Sequence, residues 1–268
     1  MRGSGNANVY AMLAHPLGHT KSPGMFNALF EKQGLDSLMV PVTCKPEDLD
    51  RLWDGLSALE NLRGIIVSVP FKQAVYARCD SARPLAARVE SANCVRRLPD
   101  GGWEADNFDG VGFIQGLYQG GHTIAGRHIL QIGAGGAGTS LAYCLAEEGA
   151  ASVTIHDVDT ARAAALTELV ATTFPACRVV TGPPRPDGHS MVINATPIGL
   201  QPDDPLPIDS SGLTPDMTVV DIIMEPRETA LLKHAAAMGC AVQYGQPMMD
   251  CQMQAMAEFL GIQGEDRQ

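Results

Sequence analysis

The chain has 268 residues, of which 45% are hydrophobic and 18% are charged. This composition excludes an intrinsically disordered protein and supplies enough apolar material for one large or two medium domains. The 19 Lys and Arg residues are outnumbered by 30 Asp and Glu residues, so the formal net charge is −11. Because no basic cluster interrupts this acidic balance, we expect small solutes as partners and no electrostatic binding of nucleic acid or anionic membranes.

Hydropathy and cysteine usage narrow the class further. No stretch approaches the roughly 18 to 20 consecutive apolar residues that a membrane span needs, and the N-terminus lacks the hydrophobic core of a signal peptide. We therefore expect a cytoplasmic protein. The seven cysteines include no C-x-x-C pair, which argues against a disulfide framework and a zinc site. His15 and His19 have no Cys or carboxylate at metal-ligand spacing, so no metal is predicted.

The first part of the chain alternates between apolar strand patterns and helical stripes. Strands are predicted at VYAMLA, LMVPV and GIIVSV, with helices before Gly34 and around Trp53. Ser22 and Pro23 favour a helix start, because a serine hydroxyl can cap free N–H groups and proline presets the backbone of the first turn. The turn residues 99–102 predict a hairpin. The order is therefore β-α-β-α-β followed by a hairpin.

A turn-rich segment, GGHTIAGR, separates this part from a second alternation. The predicted strands are HILQI, SVTIH, CRVV, MVINA, TVVDII and AVQY, with helices after the first two and before the last. Nearly continuous apolar strands that alternate with helices indicate a parallel sheet covered on both faces. Residues 247–260 form a Met-rich helical pattern that is typical of core packing. The fold class is therefore α/β.

A glycine-rich loop, GAGGAG at residues 133–138, directly follows HILQI and opens a helix. Glycines at this point let the backbone approach a pyrophosphate, and the N–H groups of the helix point at it. Asp157 lies 19 residues after Gly138, at the end of SVTIH, where a carboxylate accepts hydrogen bonds from the adenosine ribose and repels a 2′-phosphate. Because Val158 offers no guanidinium for that phosphate, NAD is predicted in preference to NADP. The alternatives are glycines that serve only helix packing and an Asp157 that is only a solvated strand end.

Seven motifs occur in sequence: AHPLGHTKSP, VSVPFK, SANCV, DNFDGVGF, IGAGGAG, INATPIG and GQPMMDCQ. In this order the chain resembles the shikimate/quinate dehydrogenase family over about residues 11–260. The resemblance implies an N-terminal α/β substrate domain, residues 1–107, to which a C-terminal segment, 245–268, returns. Residues 108–244 would form a Rossmann-type dinucleotide domain with a doubly wound parallel sheet. We expect the active site in the cleft between the two domains.

The resemblance also implies roles for individual residues. Lys72 and Asp109 would be the catalytic pair: the lysine exchanges the proton of the substrate's C3 oxygen while hydride passes to or from the nicotinamide, and the aspartate orients the lysine. The substrate residues implied are Thr20 and Ser22 for a carboxylate, with Ser68, Asn93 and Gln252 near the ring hydroxyls. The cofactor residues implied are Gly133, Ala134, Gly135, Gly136, Ala137, Asp157, Asn194, Thr196 and Gly199.

These residues also have structural alternatives. A single Lys72 or Asp109 could be a solvated surface charge. Thr20 and Ser22 could be helix caps, and Asn93 could satisfy backbone groups beside the cleft.

Three positions depart from the family pattern. Met224 stands where the family carries a Tyr, Ile66 where it carries an Asn, and Thr20 where Ser is usual. The first two changes remove polar contacts to a substrate. An unpartnered buried hydroxyl costs roughly 1 to 3 kcal/mol, so the choice among shikimate, quinate and a related cyclohexanecarboxylate stays open.

The sequence therefore predicts an NAD-dependent oxidoreductase, with NADP also possible, that interconverts shikimate and 3-dehydroshikimate or quinate and 3-dehydroquinate. One alternative is a dehydrogenase of an aminoshikimate-type or amino-acid substrate. A second is a regulatory protein that binds a dinucleotide without turnover. A monomer and a homodimer are both compatible with the sequence.

Overall fold

The computed structural model of the protein describes residues 3–18 and 20–262. The chain divides into two compact units, one comprising Met1–Phe108 with Met253–Gln268 and the other Asp109–Gln252. Within the described ranges, no helix has the length and apolar character required to cross a bilayer.

The first unit is built on a mixed sheet. In the described part of the chain this sheet has six strands in the order β2-β1-β3-β5-β6-β4, in which β1 pairs in parallel with β2 and β3. The β5 strand runs antiparallel to both β3 and β6. The strands β5 and β6 form the predicted hairpin. The elements are β1 (Asn8–Leu13), α1 (Ser22–Gln33), β2 (Ser37–Val42), α2 (Leu49–Ser57), β3 (Leu62–Val67), α3 (Lys72–Tyr76), β4 (Ser81–Ala82), α4 (Pro84–Val89), β5 (Cys94–Arg97) and β6 (Trp103–Asp106).

The second unit contains the parallel sheet that the alternating pattern predicts. Its described strands follow the order β12-β11-β10-β7-β8-β9, and all neighbours pair in parallel. The α/β class and the Rossmann-type sheet are thereby confirmed. The elements are α5 (Asp109–Gln119), β7 (His128–Ile132), α6 (Gly136–Glu147), β8 (Ser152–His156), α7 (Thr160–Thr173), β9 (Arg178–Thr181), β10 (Met191–Asn194), β11 (Thr218–Asp221), α8 (Ala230–Ala237), β12 (Ala241–Gln243) and α9 (Gln246–Phe259).

The end of α9 belongs to the first unit and is fastened to its sheet by Phe259. The guanidinium of Arg96 lies 4.7 Å from the centroid of the Phe259 ring and donates to the Phe259 carbonyl at 3.1 Å. A cation at the C-terminus of a helix interacts favourably with the helix dipole. Phe108 packs against the same ring, with 5.5 Å between the ring centroids.

Glycines explain how closely α5 packs against its neighbours within the second unit. A Cβ added at Gly116 would lie 2.8 Å from the Met248 nitrogen of α9, and one at Gly112 would lie 2.8 Å from the Met248 carbonyl oxygen. On another side, a Cβ at Gly110 would lie 2.6 Å from the Ser140 carbonyl oxygen of α6. The spacing in DGVGFIQG therefore lets two other helices approach the α5 backbone directly.

The expected helix start at Ser22 and Pro23 is confirmed, whereas the expected capping role of Ser22 is wrong. Ser22 was expected to cap α1, but it is the first helical residue, and the cap position is Lys21, which makes no side-chain cap hydrogen bond. Hydroxyl caps and first-turn serines differ by one position, and local sequence does not separate them. The short helices α3 and α4 were not predicted.

We expect Leu141→Ala to lower the free energy of unfolding by about 2 to 5 kcal/mol, because the substitution leaves a cavity in a closed core. Leu141 is fully buried in α6, the helix that the glycine loop opens. Urea unfolding followed by circular dichroism measures the change. The matched control is Leu59→Ala, because Leu59 is 43% exposed. Equal losses in the two variants would contradict this description of the core.

Candidate active site

The glycine loop, residues 133–138, has a shape that requires glycine at positions 133 and 138. Gly133 has φ +105°, and a Cβ there would lie 2.7 Å from the Ala195 carbonyl oxygen. A Cβ at Gly138 would overlap with the carbonyl oxygen of Gly133, whereas one at Gly135 would meet nothing within 4 Å. Gly135 occupies the cap position of α6 and provides no side-chain cap for the first N–H groups of the helix. This geometry fits the pyrophosphate of a dinucleotide.

A fully buried glutamine, Gln131, braces the loop from the strand before it. Its Nε2 donates to the Gly133 carbonyl at 2.9 Å and to the Gly138 carbonyl at 2.8 Å. One side chain therefore joins the two ends of the glycine loop.

Asp157 ties the end of β8 to the same loop. Its Oδ2 accepts from the Ala134 N–H at 2.7 Å, and its Oδ1 accepts from the Asp159 N–H at 2.9 Å. The next residue, Val158, is 90% exposed. Arg162, in the first turn of α7, places its Nη1 4.0 Å from the Asp157 carboxylate, so a guanidinium is present near this carboxylate after all.

A buried polar network follows β10 and β11, and we call its members Asn194, Thr196, Asp221 and Thr229 the Asp221 network. Asn194 Nδ2 lies 3.2 Å from both Asp221 oxygens, and its Oδ1 accepts from Thr196 Oγ1 at 2.7 Å. Thr229 Oγ1 donates to Asp221 Oδ2 at 2.8 Å. Burial raises the pKa of Asp221, while the donors at Ile223, Thr229 and Asn194 lower it.

The loop that β10 leads into is also held at its far end. Asp204 Oδ2 accepts from the Gly199 N–H at 2.8 Å and from the Gln201 N–H at 2.9 Å. These backbone donors lower the pKa of Asp204. Gly199 has φ +113°, a conformation that disfavours any residue with a Cβ.

In the first unit, the loop between β1 and α1 carries the two predicted hydroxyl residues. Thr20 closes a turn on Leu17: its N–H donates to the Leu17 carbonyl at 3.0 Å, and its hydroxyl donates to the same oxygen. Ser22 starts α1, so neither residue acts as a side-chain cap of that helix. His19 lies outside the described residues.

Ser68, Lys72 and Asn93 occupy neighbouring connections of the same unit. Ser68 follows β3, where its N–H donates to the Leu13 carbonyl at 2.8 Å. Lys72 starts α3, and its backbone carbonyl accepts from the Ala92 N–H at 3.0 Å. Asn93 is buried, and its Oδ1 accepts from the Phe108 N–H at 2.9 Å. Asn93 therefore fixes the backbone immediately before Asp109.

The second unit brings together Asp109 and Gln252, which are 143 positions apart in sequence. Gln252 Nε2 donates to Asp109 Oδ1 at 2.6 Å, and both side chains are buried. Asp109 is the first residue of α5, where the helix dipole stabilises a negative charge. Asp109 is therefore a buried, hydrogen-bonded carboxylate rather than a solvated surface charge.

A family model of the shikimate dehydrogenase substrate binding domain matches residues 12–95. The shikimate dehydrogenase (NADP(+)) of Rhodospirillum rubrum is 34% identical over 256 residues, which cover 92% of this chain and 89% of the relative. The chain belongs to the shikimate dehydrogenase family. This confirms the resemblance that the seven motifs indicated.

Solved structures resemble this chain over nearly its whole length. The shikimate 5-dehydrogenase of Listeria monocytogenes, in complex with shikimate and NAD, has a TM-score of 0.89 at 28% identity and covers 98% of this chain and 95% of its own. The ligand-free 5-ketofructose reductase of Gluconobacter sp. strain CHM43 has a TM-score of 0.85 at 29% identity and covers 97% of this chain and 95% of its own. The family architecture thus occurs in proteins named for different substrates.

Two departures from the family pattern have clear surroundings. Ile66 is buried in an apolar cluster with Tyr10, Phe26 and Met256. Met224 is half-buried in the segment that follows β11. Neither side chain offers a hydrogen-bond donor to a substrate. Among residues 3–18 and 20–262, no group of three or more His, Cys, Asp or Glu side chains could hold a metal ion.

Three polar residues of the second unit escaped the sequence reasoning: Gln131, Arg162 and Asp221. Gln131 lies within the apolar strand β7, and Asp221 is the last residue of the apolar strand β11. A polar residue within or at the end of an apolar strand is the sequence signal that could have identified both. Arg162 lies three residues after Asp159, a spacing that brings side chains together on a helix.

We expect Asp106→Asn to be more stable than the parent protein at pH 7 by on the order of 2 to 3 kcal/mol, and the gain to disappear towards pH 4. Burial raises the pKa of Asp106 from 3.8 to about 6, partly offset by the Asn107 N–H. The folded state therefore binds more protons between these values, so the free energy of unfolding falls as the pH rises through them.

Denaturant unfolding of both proteins at several pH values between 4 and 7 measures this difference. The matched control is Glu60→Gln, since Glu60 is an exposed carboxylate of the same unit. A gain that does not change with pH would contradict the assignment to Asp106.

Proposed function

We propose that the protein is an NAD-dependent dehydrogenase that oxidises a ring hydroxyl of shikimate, quinate or a related cyclohexanecarboxylate, and catalyses the reverse reduction. The observation that carries the proposal is the glycine loop joined to Asp157 through the Ala134 N–H, at 2.7 Å. The first unit is proposed to bind the substrate and the second to bind the dinucleotide. Family membership supports both assignments.

The residues of the second unit fit a dinucleotide. The proposed cofactor loop, residues 133–137, leads into the start of α6, where no side chain of the cap residue Gly135 occupies the first N–H groups and a Cβ at Gly135 would meet nothing within 4 Å. Asn194, Thr196 and Gly199 shape a loop over which the half of the dinucleotide beyond the pyrophosphate would pass. When bound, the dinucleotide supplies or accepts the hydride of the reaction.

The preference for NAD is argued from Asp157. A carboxylate at the end of β8 accepts hydrogen bonds from ribose hydroxyls and repels a 2′-phosphate. The curated relatives carry NADP(+) in their names, whereas the Listeria enzyme was solved with NAD. The Arg162 guanidinium near Asp157 favours a phosphate, but it is shared between the carboxylates of Asp157 and Asp159, at 4.0 and 3.4 Å.

Lys72 and Asp109 are the proposed proton-transfer pair. Removal of hydride from a secondary alcohol requires that its O–H proton be taken up, and the reduction requires that this proton be returned to the forming alkoxide. Lys72 is proposed to exchange this proton, and Asp109 to orient the lysine. Gln252 supports the second role because its Nε2 donates to Asp109 Oδ1 at 2.6 Å and so fixes the orientation of the carboxylate.

The proposed substrate residues of the first unit suit an anionic, hydroxylated ring. Thr20 and Ser22 lie at the start of α1, where the helix dipole favours a carboxylate, and the cap residue Lys21 makes no side-chain cap hydrogen bond. Ser68 and Asn93 are proposed to contact ring hydroxyls, together with Gln252 of the second unit.

A second candidate is a reductase of a different polyol ketone. Ile66 and Met224 remove two polar contacts from the family pattern, and a structure of comparable similarity is named 5-ketofructose reductase. The loss of one buried hydrogen bond weakens binding by roughly ten- to a hundredfold, enough to change the preferred substrate.

We expect Lys72→Ala to lower kcat by about a hundred- to ten-thousandfold while NADH binding is retained, because the lysine serves proton transfer rather than the dinucleotide. Turnover is measured by nicotinamide absorbance with shikimate, quinate and 5-ketofructose, and NADH binding by fluorescence. The control is Lys32→Ala, since Lys32 is an exposed lysine in the last turn of α1. Full activity in Lys72→Ala would overturn the role of Lys72, and NADH binding without turnover of any substrate in the parent protein would favour the regulatory alternative.

We expect the parent protein to have a higher kcat/KM with NAD than with NADP. Asp157→Asn should lower the ratio of the NAD value to the NADP value by about tenfold, because it removes a negative charge that repels the 2′-phosphate of NADP. Arg162→Gln should act in the opposite direction by further weakening the use of NADP. Initial rates at varied concentrations of each dinucleotide give the ratio for the parent protein and for each of the two variants. A parent protein that prefers NADP would refute the NAD assignment.

A further inference from the structure

We propose that Asp221 is a positioning residue that sets the geometry of the nicotinamide half of the dinucleotide site without touching the substrate. The inference rests on the proposed function and names a part of that site to which no role has yet been given. It stands on the Asp221 network, whose four members lie at the carboxyl ends of β10 and β11 and at the start of α8.

Through this network, one buried carboxylate fixes the backbone of two loops. Asp221 Oδ1 accepts from the Ile223 N–H at 3.0 Å, which holds the segment that contains Met224. Through Asn194, Asp221 also reaches Thr196, whose N–H donates to Asn194 Oδ1 at 3.1 Å and whose Oγ1 accepts from the Ile198 N–H at 3.1 Å. Both loops therefore depend on the same carboxylate.

Strand order assigns this network to one half of the dinucleotide site. The order of the sheet reverses between β7 and β10, and dinucleotides bind across the crevice at such a reversal. Asp157 follows β8, on the side where an adenosine ribose would lie. The opposite half must then extend over the ends of β10 and β11, where Asn194 and Asp221 stand.

Close backbone contacts link the two halves, so a shift in one loop has little room to be absorbed. A Cβ at Gly133 would lie 2.9 Å from Thr196 Cγ2, and a Cβ at Gly245 would lie 2.7 Å from the Ile222 carbonyl oxygen. The glycine loop and Gly245 therefore pack directly against the two loops that Asp221 holds.

The test compares binding of the two halves of the dinucleotide in Asp221→Asn. An amide at this position turns a hydrogen-bond donor towards the donors of Ile223, Asn194 or Thr229. We expect affinity for ADP-ribose, which lacks the nicotinamide, to stay within about twofold, and affinity for NADH to fall about tenfold. The fluorescence spectrum of NADH bound to Asp221→Asn should move towards that of free NADH. The fold-decrease in kcat should be larger than the fold-decrease in the affinity for ADP-ribose.

Two further variants keep the experiment decisive if Asp221→Asn folds poorly. Thr229→Val removes one donor to the carboxylate and should weaken NADH binding by about threefold in the same selective way. Thr218→Val changes a buried threonine at the other end of β11 and should leave the ratio of the two affinities unchanged. The melting temperature of each variant is measured in parallel.

The outcomes separate the inference from the proposed function. Selective loss of NADH affinity in Asp221→Asn or Thr229→Val supports the positioning role. Equal losses for ADP-ribose and NADH, or no loss in either variant, would overturn it. A parent protein that binds neither ADP-ribose nor NADH would instead refute the dinucleotide function on which the inference rests.

Discussion

The reversal of strand order between β7 and β10 is the constraint on which the second unit depends. Because all strands of this sheet run in parallel, their carboxyl ends meet at one edge, and the reversal opens a crevice there. The glycine loop and Asp157 follow two strands at this edge, and Asn194 and Asp221 are the last residues of two others. The sheet thereby places several buried polar side chains of this unit at one edge.

Buried polar side chains in this region make precise contacts rather than serving as reactive groups. Gln131 joins the two ends of the glycine loop, Asp157 joins that loop to β8, and Asp221 joins two further loops. A buried carboxylate is costly to desolvate, and its cost is met only where several donors converge on it. Rigid loops of this kind hold a cofactor within the narrow tolerances that hydride transfer demands.

The sequence could predict elements whose signal is local. Continuous apolar strands such as HILQI and SVTIH, each followed by a helix, were enough to identify the parallel sheet. The helices α3 and α4 were missed because they have only five and six residues, too few for an apolar period, and α4 ends at Glu90 with φ +48° rather than at a glycine. In the candidate site, the glycine loop followed from spacing, and Lys72 and Asp109 followed from family motifs. The contact of Asp109 with Gln252 joins residues 143 positions apart, and only the fold could reveal it.

The central claim is that hydride moves directly between a substrate carbon and a dinucleotide bound at the glycine loop. Its most direct test uses shikimate, or the preferred acid, deuterated at the carbon that bears the oxidised hydroxyl, with NAD as acceptor and mass spectrometry of the reduced dinucleotide. The account predicts that the deuterium appears in the dinucleotide with each turnover. Formation of unlabelled NADH, with the deuterium lost to water, would contradict it.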